Sequence, residues 1–228
     1  MCSSLNRAFA LVLLSLVLSF QGAFAEYAFE QGDSIAIIGN ALPDRMQQDG
    51  YLETYLQLAN PDKQLVVRDM GFSGDEVANR PREENFPTVD YCMDLVKADV
   101  IFAFFGYNES FKKDPALFKQ ELRTFIEETR TKRYNGESAP RLVLFSPIAH
   151  EDLQSPDFPD GKENNKWLEI YTDAMARVAG EMDVPFVDLF GPSQALYTST
   201  DEPLTINGVH LNAQGNDAIA KVIVEALG

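Results

Sequence analysis

The chain has 228 residues, 45% hydrophobic and 24% charged, an ordinary globular composition that suits one domain with one core and argues against two. Its 19 basic residues stand against 35 acidic ones, and the resulting field repels nucleic acid and anionic membrane surfaces while remaining compatible with neutral glycans or small esters. Two cysteines, Cys2 and Cys92, give no disulfide framework.

In chain order, Arg7 precedes an apolar run from Ala8 to Phe20, and Ala23-Phe24-Ala25 supplies small residues for cleavage. This pattern predicts a signal peptide over residues 1–25, a mature domain over 26–228 and a secreted or periplasmic location. The run is about 13 residues long against the roughly 20 that span a bilayer, so no membrane insertion is expected after cleavage. Cleavage would remove Cys2 and leave Cys92, which lies in a helical apolar pattern and is expected to be a small buried hydrophobe.

Five short apolar runs follow: Ser34 to Gly39, Gln64 to Arg68, Val100 to Phe105, Leu142 to Phe145, and the neighbourhood of Phe186-Val187. Helical patterns separate them, over Asp44 to Ala59, Val89 to Lys97, Pro115 to Tyr134 and Glu163 to Met182, with a last one over Ala213 to Leu227. Such alternation predicts an α/β fold, a three-layer α/β/α flavodoxin-like sandwich on a five-stranded parallel sheet. Arg80 to Thr88 and Pro147 to Lys162 are the long irregular stretches, expected as walls or lids of a site.

Ligands of such sheets bind beyond the carboxyl ends of the strands. The segments leaving those ends are Gly39-Asn40-Ala41-Leu42, Asp69 to Gly74, Gly106 to Ser110 and Ser146 to His150, joined by Thr205 to Asn212 before the last helix. Gly71 in Met70-Gly71-Phe72-Ser73-Gly74, Asn108 in Gly106-Tyr107-Asn108-Glu109, and His210 before Leu211-Asn212 stand in the same order as the glycine, asparagine and histidine blocks of the SGNH (GDSL-type) hydrolases. The chain resembles that superfamily over nearly its whole length after the leader. The resemblance implies acyl transfer, with a backbone amide at Gly71 and the side-chain amide of Asn108 as oxyanion donors and His210 as base. It implies no cofactor, and no His-x-x-x-His, cysteine or clustered aspartate spacing suggests a metal.

Two positions depart from the family pattern. The literal Gly32-Asp33-Ser34-Ile35 precedes the strand Ile35-Ala36-Ile37-Ile38, so Ser34 is expected at the end of the sheet away from the site. The nucleophile slot after the strand reads Gly39-Asn40-Ala41, with Ala41 in place of serine. Three residues before His210, where the family carries an aspartate, stands Asn207; in serine proteases that change lowers turnover about 10⁴-fold. Asn207 would then orient His210, and Asn40 and His150 are candidate substrate contacts on the same rim. The attack could be relocated to Ser73, Ser110 or Ser146, or performed by a water that His210 activates with Glu109 nearby.

Two functions follow from the resemblance. One is an exported hydrolase of acyl or acetyl esters, of small molecules or of carbohydrate, with an atypical site. The other is a non-catalytic member of the superfamily that holds a glycan or acylated ligand. A role in a larger exported assembly is a third option with no specific signal, and the sequence sets no oligomeric state.

Overall fold

The computed structural model describes residues 27–228. The expected signal peptide over residues 1–25 lies outside the described residues. Among these residues no helix is long and apolar enough to cross a membrane.

Five strands form one sheet, all parallel: β1 (Ser34–Gly39), β2 (Val66–Asp69), β3 (Val100–Phe104), β4 (Arg141–Phe145) and β5 (Phe186–Val187), in the order β2-β1-β3-β4-β5. The strands read as continuous apolar runs because both faces of the sheet are covered. Alternate side chains divide between two cores. Ile35 and Ile37 of β1, Phe102 and Phe104 of β3, and Val143 and Phe145 of β4 face one layer, packed on Leu52, Leu56, Ile219 and Ile223. Ala36, Ile38, Ile101, Ala103, Leu142 and Leu144 face the other, against Met93, Phe118, Leu122, Ile126, Tyr171 and Met175. The helices that supply these residues are α2 (Tyr51–Ala59) and α8 (Ala213–Leu227) on the first face, and α3 (Val89–Val96), α5 (Pro115–Thr131) and α6 (Lys162–Glu181) on the second. The expected three-layer flavodoxin-like sandwich is the fold observed.

The helices differ from expectation in three places. The pattern from Asp44 to Ala59 is two helices, α1 (Ala41–Met46) and α2, because Gly50 between them takes a left-handed φ of +67° and starts the second. A one-turn helix α4 (Tyr107–Ser110) follows β3, and α7 (Phe190–Ser199) follows β5, neither of which has a clear apolar period. The stretch around Arg80 contains a short 3₁₀ turn, Pro81–Glu84. Cys92 is half-buried rather than buried.

Strand order reverses between β1 and β3, and there the two chains approach closely. Gly39 has φ +138°, and a Cβ added to it would lie 2.2 Å from the Phe104 carbonyl oxygen. Only glycine fits. Asn40 N–H then donates to the Phe104 carbonyl at 3.3 Å, and the Asn40 side chain caps α1 by accepting from Leu42 N–H at 3.0 Å.

The Gly32-Asp33-Ser34 tripeptide lies at the opposite end of the sheet. Ser34 opens β1, roughly 16 Å along the strand from Gly39. Its Oγ donates to the Val96 carbonyl at 2.7 Å, while its N–H donates to the Asp99 carboxylate at 2.9 Å. Asp33 is buried and pairs with Arg141. These contacts anchor the strand to its neighbours and face no cavity of the site. Replacing Ser34 with Ala should therefore lower stability by about 1 kcal/mol, the worth of one ordinary hydrogen bond. Denaturant unfolding would show that loss with no change in ligand binding or turnover; a folded Ser34→Ala variant that loses either would contradict the placement.

Candidate active site

At the switch point Asn40, Ala41, Leu42 and Arg45 from the start of α1 meet Phe104, Phe105, Tyr107 and Asn108 from the end of β3. Ser146, Pro147 and Ile148 after β4 close a third side, and Val209, His210, Leu211 and Asn216 close the last. The cavity they enclose measures about 160 Å³ and is mostly apolar. Its position beyond the carboxyl ends of β1 and β3 is the ordinary ligand position for this sheet.

His210 is half-buried at one wall, in the loop before α8. Asn207 holds it from behind: Asn207 Oδ1 accepts from His210 N–H at 2.9 Å and from Val209 N–H at 3.2 Å. His210 Nδ1 lies 3.0 Å from Asn207 Nδ2 and 3.2 Å from Oδ1. Contact with Oδ1 would put the ring proton on Nδ1 and leave Nε2 a base. Contact with Nδ2 would make Nδ1 the acceptor and Nε2 a donor. Burial lowers the His210 pKa from the ordinary imidazole value, and the positive charge of Arg45 adds to this, so both favour the neutral ring.

Asn108 also lines the cavity, and one proton of its amide goes to the Asp75 carbonyl at 3.0 Å. An amide has two such protons, which leaves one for a ligand. Glu109 fixes this turn from below. Its buried carboxylate accepts from Gly106 N–H at 2.9 Å and Val77 N–H at 2.8 Å, and burial pushes its pKa up to about 7 against the opposing pull of those donors. Glu109 lies beneath the cavity wall rather than on it.

Two expected contacts fall elsewhere. Gly71 is buried outside the cavity lining, and its N–H donates to Asp69 Oδ1 at 2.8 Å, so in this arrangement it offers nothing to an oxyanion. Burial is the main reason the Asp69 carboxyl is pushed up to about 7. His150 is buried and does not face the cavity of His210. Its ring lies so close under Gly161 and Gly208 that a Cβ on either would come within 2.5 Å of it. Asn165 brackets its backbone on both sides, and Asn164 meets Nδ1 at 3.1 Å. His150 is a spacer behind the His210 loop, not a rim histidine.

The candidate replacement serines are all committed. Ser73 Oγ donates to Asp44 at 2.6 Å, and Ser110 Oγ donates to the Tyr107 carbonyl at 2.6 Å. Ser146 Oγ accepts from Leu189 N–H at 2.7 Å and Phe190 N–H at 3.2 Å, with the Pro147 carbonyl at 3.1 Å and the Asp188 carboxylate at 3.2 Å as its acceptors. None is arranged as a nucleophile toward His210.

Three residues of the site escape the motif reading. Arg45 stands four residues after Ala41, the spacing of one helix face, which is the signal that could have found it. Asn216, one turn into α8, lines the cavity with a buried Oδ1 that has no partner. Glu151 is buried and accepts from Leu204 N–H, Thr205 N–H and the Thr205 hydroxyl at 3.0, 2.7 and 2.6 Å, while its own N–H donates to the Gly208 carbonyl at 2.8 Å. It thereby ties down the loop that carries Asn207 and His210. Among the described residues no group of acids, histidines or cysteines could hold a metal ion.

Fold and cavity together define an α/β protein of the SGNH type. A sequence profile of the GDSL-like Lipase/Acylhydrolase family matches residues 31–218, and the chain belongs to that family, a family of ester hydrolases. No curated protein matches the chain. Among solved structures it resembles Axe2, an acetylxylan esterase from Geobacillus stearothermophilus, at 17% identity over 88% of this chain and 96% of that one, with a TM-score of 0.64. LAE5, an alpha/beta hydrolase enzyme from the metagenome of Lake Arreo, matches at 20% identity over 88% and 97%, TM-score 0.66. The gut microbial diltiazem-metabolizing enzyme BT4096 matches at 18% identity over 89% of this chain but 48% of its own length, TM-score 0.65.

Replacing Glu151 with Gln puts an amide NH₂ in place of one carboxylate oxygen, facing either the Leu204 N–H or the Thr205 N–H and hydroxyl. The unmade hydrogen bonds should lower stability by about 1–3 kcal/mol. Amide exchange over residues 204–210 should accelerate in the same variant; unchanged protection there would remove Glu151 from the account of the loop.

Proposed function

We propose that this chain hydrolyses acyl or acetyl esters, of small molecules or of carbohydrate, by direct attack of water rather than through an acyl-enzyme. The observation that carries the reading is the convergence of His210 and the Asn108 amide on one cavity where Ala41 offers no hydroxyl. The short methyl of Ala41 leaves the place of a serine oxygen to water. In the proposed step His210 Nε2 takes a proton from that water as its oxygen bonds to the ester carbonyl carbon. Asn108 Nδ2 donates to the developing oxyanion, a contact of this kind being worth about 3 kcal/mol in a dry site. Collapse breaks the bond to the alcohol oxygen, which receives the proton from the imidazolium. The Geobacillus neighbour is named an acetylxylan esterase, which supports an acetylated carbohydrate as the class to test first. The residue 1–25 pattern supports action outside the cytoplasm.

One observation favours the second function, that of a protein that binds its ligand without turning it over. Asn207 Oδ1 already accepts two backbone N–H groups, so the nearer Asn207 Nδ2 is the better partner for His210 Nδ1. That arrangement places the ring proton on Nε2, the tautomer unable to act as base.

Hydrolysis of aryl acetates and acetylated xylo-oligosaccharides separates the two. Slow turnover in the parent, lost in His210→Ala, is the expected result, and Ala41→Ser should raise it by about 10²-fold by restoring a covalent route. Activity only after Ala41→Ser would make the protein a binder. The acid limb of kcat/KM should fall below pH 6.5, because burial and the Arg45 charge both disfavour imidazolium. Arg45→Met removes the like charge, raises the His210 pKa and should move that limb upward; an unmoved limb would show that His210 is not the titrating group.

A further inference from the structure

The proposed hydrolysis leaves a cation in the cavity with no assigned partner. Arg45 lines the cavity with Asn40, Asn108, His210 and Asn216. Among the described residues its side chain makes no ion pair or hydrogen bond, and its Nε is buried without a partner. The acids near it in sequence are engaged elsewhere: Asp44 accepts from the Ser73 N–H and hydroxyl, and Asp49 accepts from the Asn216 amide.

The remaining polar groups of the cavity add donors. Asn40 Oδ1 is turned back onto the Leu42 N–H, which leaves its Nδ2, and Asn108 keeps a second amide proton. Among the described residues two cavity side chains carry a buried oxygen without a partner, Asn216 Oδ1 and the Tyr107 hydroxyl, and the hydroxyl can donate as well as accept. Phe104, Phe105, Leu42, Ile148 and Leu211 make the other walls apolar. A cavity of this size admits a molecule about as large as benzene. A water in the cavity leaves the charge of Arg45 unmatched, whereas a planar carboxylate matches it and can accept from two guanidinium N–H groups.

We propose that the cavity receives a short-chain carboxylate, with its apolar body against the phenylalanine wall and its charged head on Arg45 beside His210. The inference rests on this cavity being the ligand site, and it holds whether or not an ester is turned over there. In a hydrolytic cycle the same contact would retain the acid product. In a binding protein it would be the recognition itself.

Calorimetric titration of the full chain with sodium acetate and propionate, beside the neutral isosteres acetamide and propionamide at matched ionic strength, tests the proposal. Propionate should bind at least 10-fold more tightly than propionamide. Arg45→Met should abolish that preference, and Arg45→Lys, which keeps the charge without the fork, should retain part of it. Equal binding of acid and amide, no binding of either, or a preference that survives in a folded Arg45→Met variant would overturn it. Ester turnover is read separately on neutral aryl acetates, so a protein that binds propionate without hydrolysing them loses the hydrolase reading and keeps this one. A protein that hydrolyses them and ignores propionate does the reverse.

Discussion

The contact between Gly39 and the Phe104 carbonyl sets the geometry of everything beyond the sheet. A side chain at position 39 would collide with backbone, and the left-handed φ it requires is open to glycine at little cost. This close approach turns the chain out of β1 directly beside the end of β3. Asn40 and Ala41 on one loop and Asn108 on the other thus line a common cavity without any long-range side-chain bridge between them. A substitution that widened the crossing would separate Ala41 from Asn108.

Around that crossing, two buried carboxylates hold the loops that carry the polar groups. Glu109 gathers the N–H groups of Gly106 and Val77 under Asn108, and Glu151 gathers those of Leu204 and Thr205 behind Asn207 and His210. Each satisfies backbone donors that an irregular buried loop would otherwise leave unpaired. His150, packed under Gly161 and Gly208, fills the space between the second of these loops and the start of α6. The result is a set of polar groups held around the methyl of Ala41, with Arg45 at its edge.

Much of this was legible in the sequence because it follows from periodicity and order. The apolar runs located all five strands, and the rule that ligands bind at carboxyl strand ends separated Ala41 from Ser34 despite the tempting Gly-Asp-Ser text. What sequence could not show were contacts between side chain and backbone. Gly71 matches its motif, yet Asp69, two residues earlier, occupies its amide. His150 follows β4 and so reads as a rim residue, but its burial depends on two glycines 11 and 58 residues away in the chain. Helix α7 has no clear apolar stripe to find. Arg45 was within reach, since four residues after Ala41 on a helix means the same face.

The proposed function requires that Ala41 occupy the nucleophile position beside His210 and Asn108. A fluorophosphonate probe, which forms a stable bond with an activated serine, tests it most directly when the parent and an Ala41→Ser variant are treated side by side and the adducts located by mass spectrometry. No adduct is expected on the parent, and a single adduct is expected at position 41 of the variant. An adduct on the parent, at Ser34 or at any other serine, would contradict it.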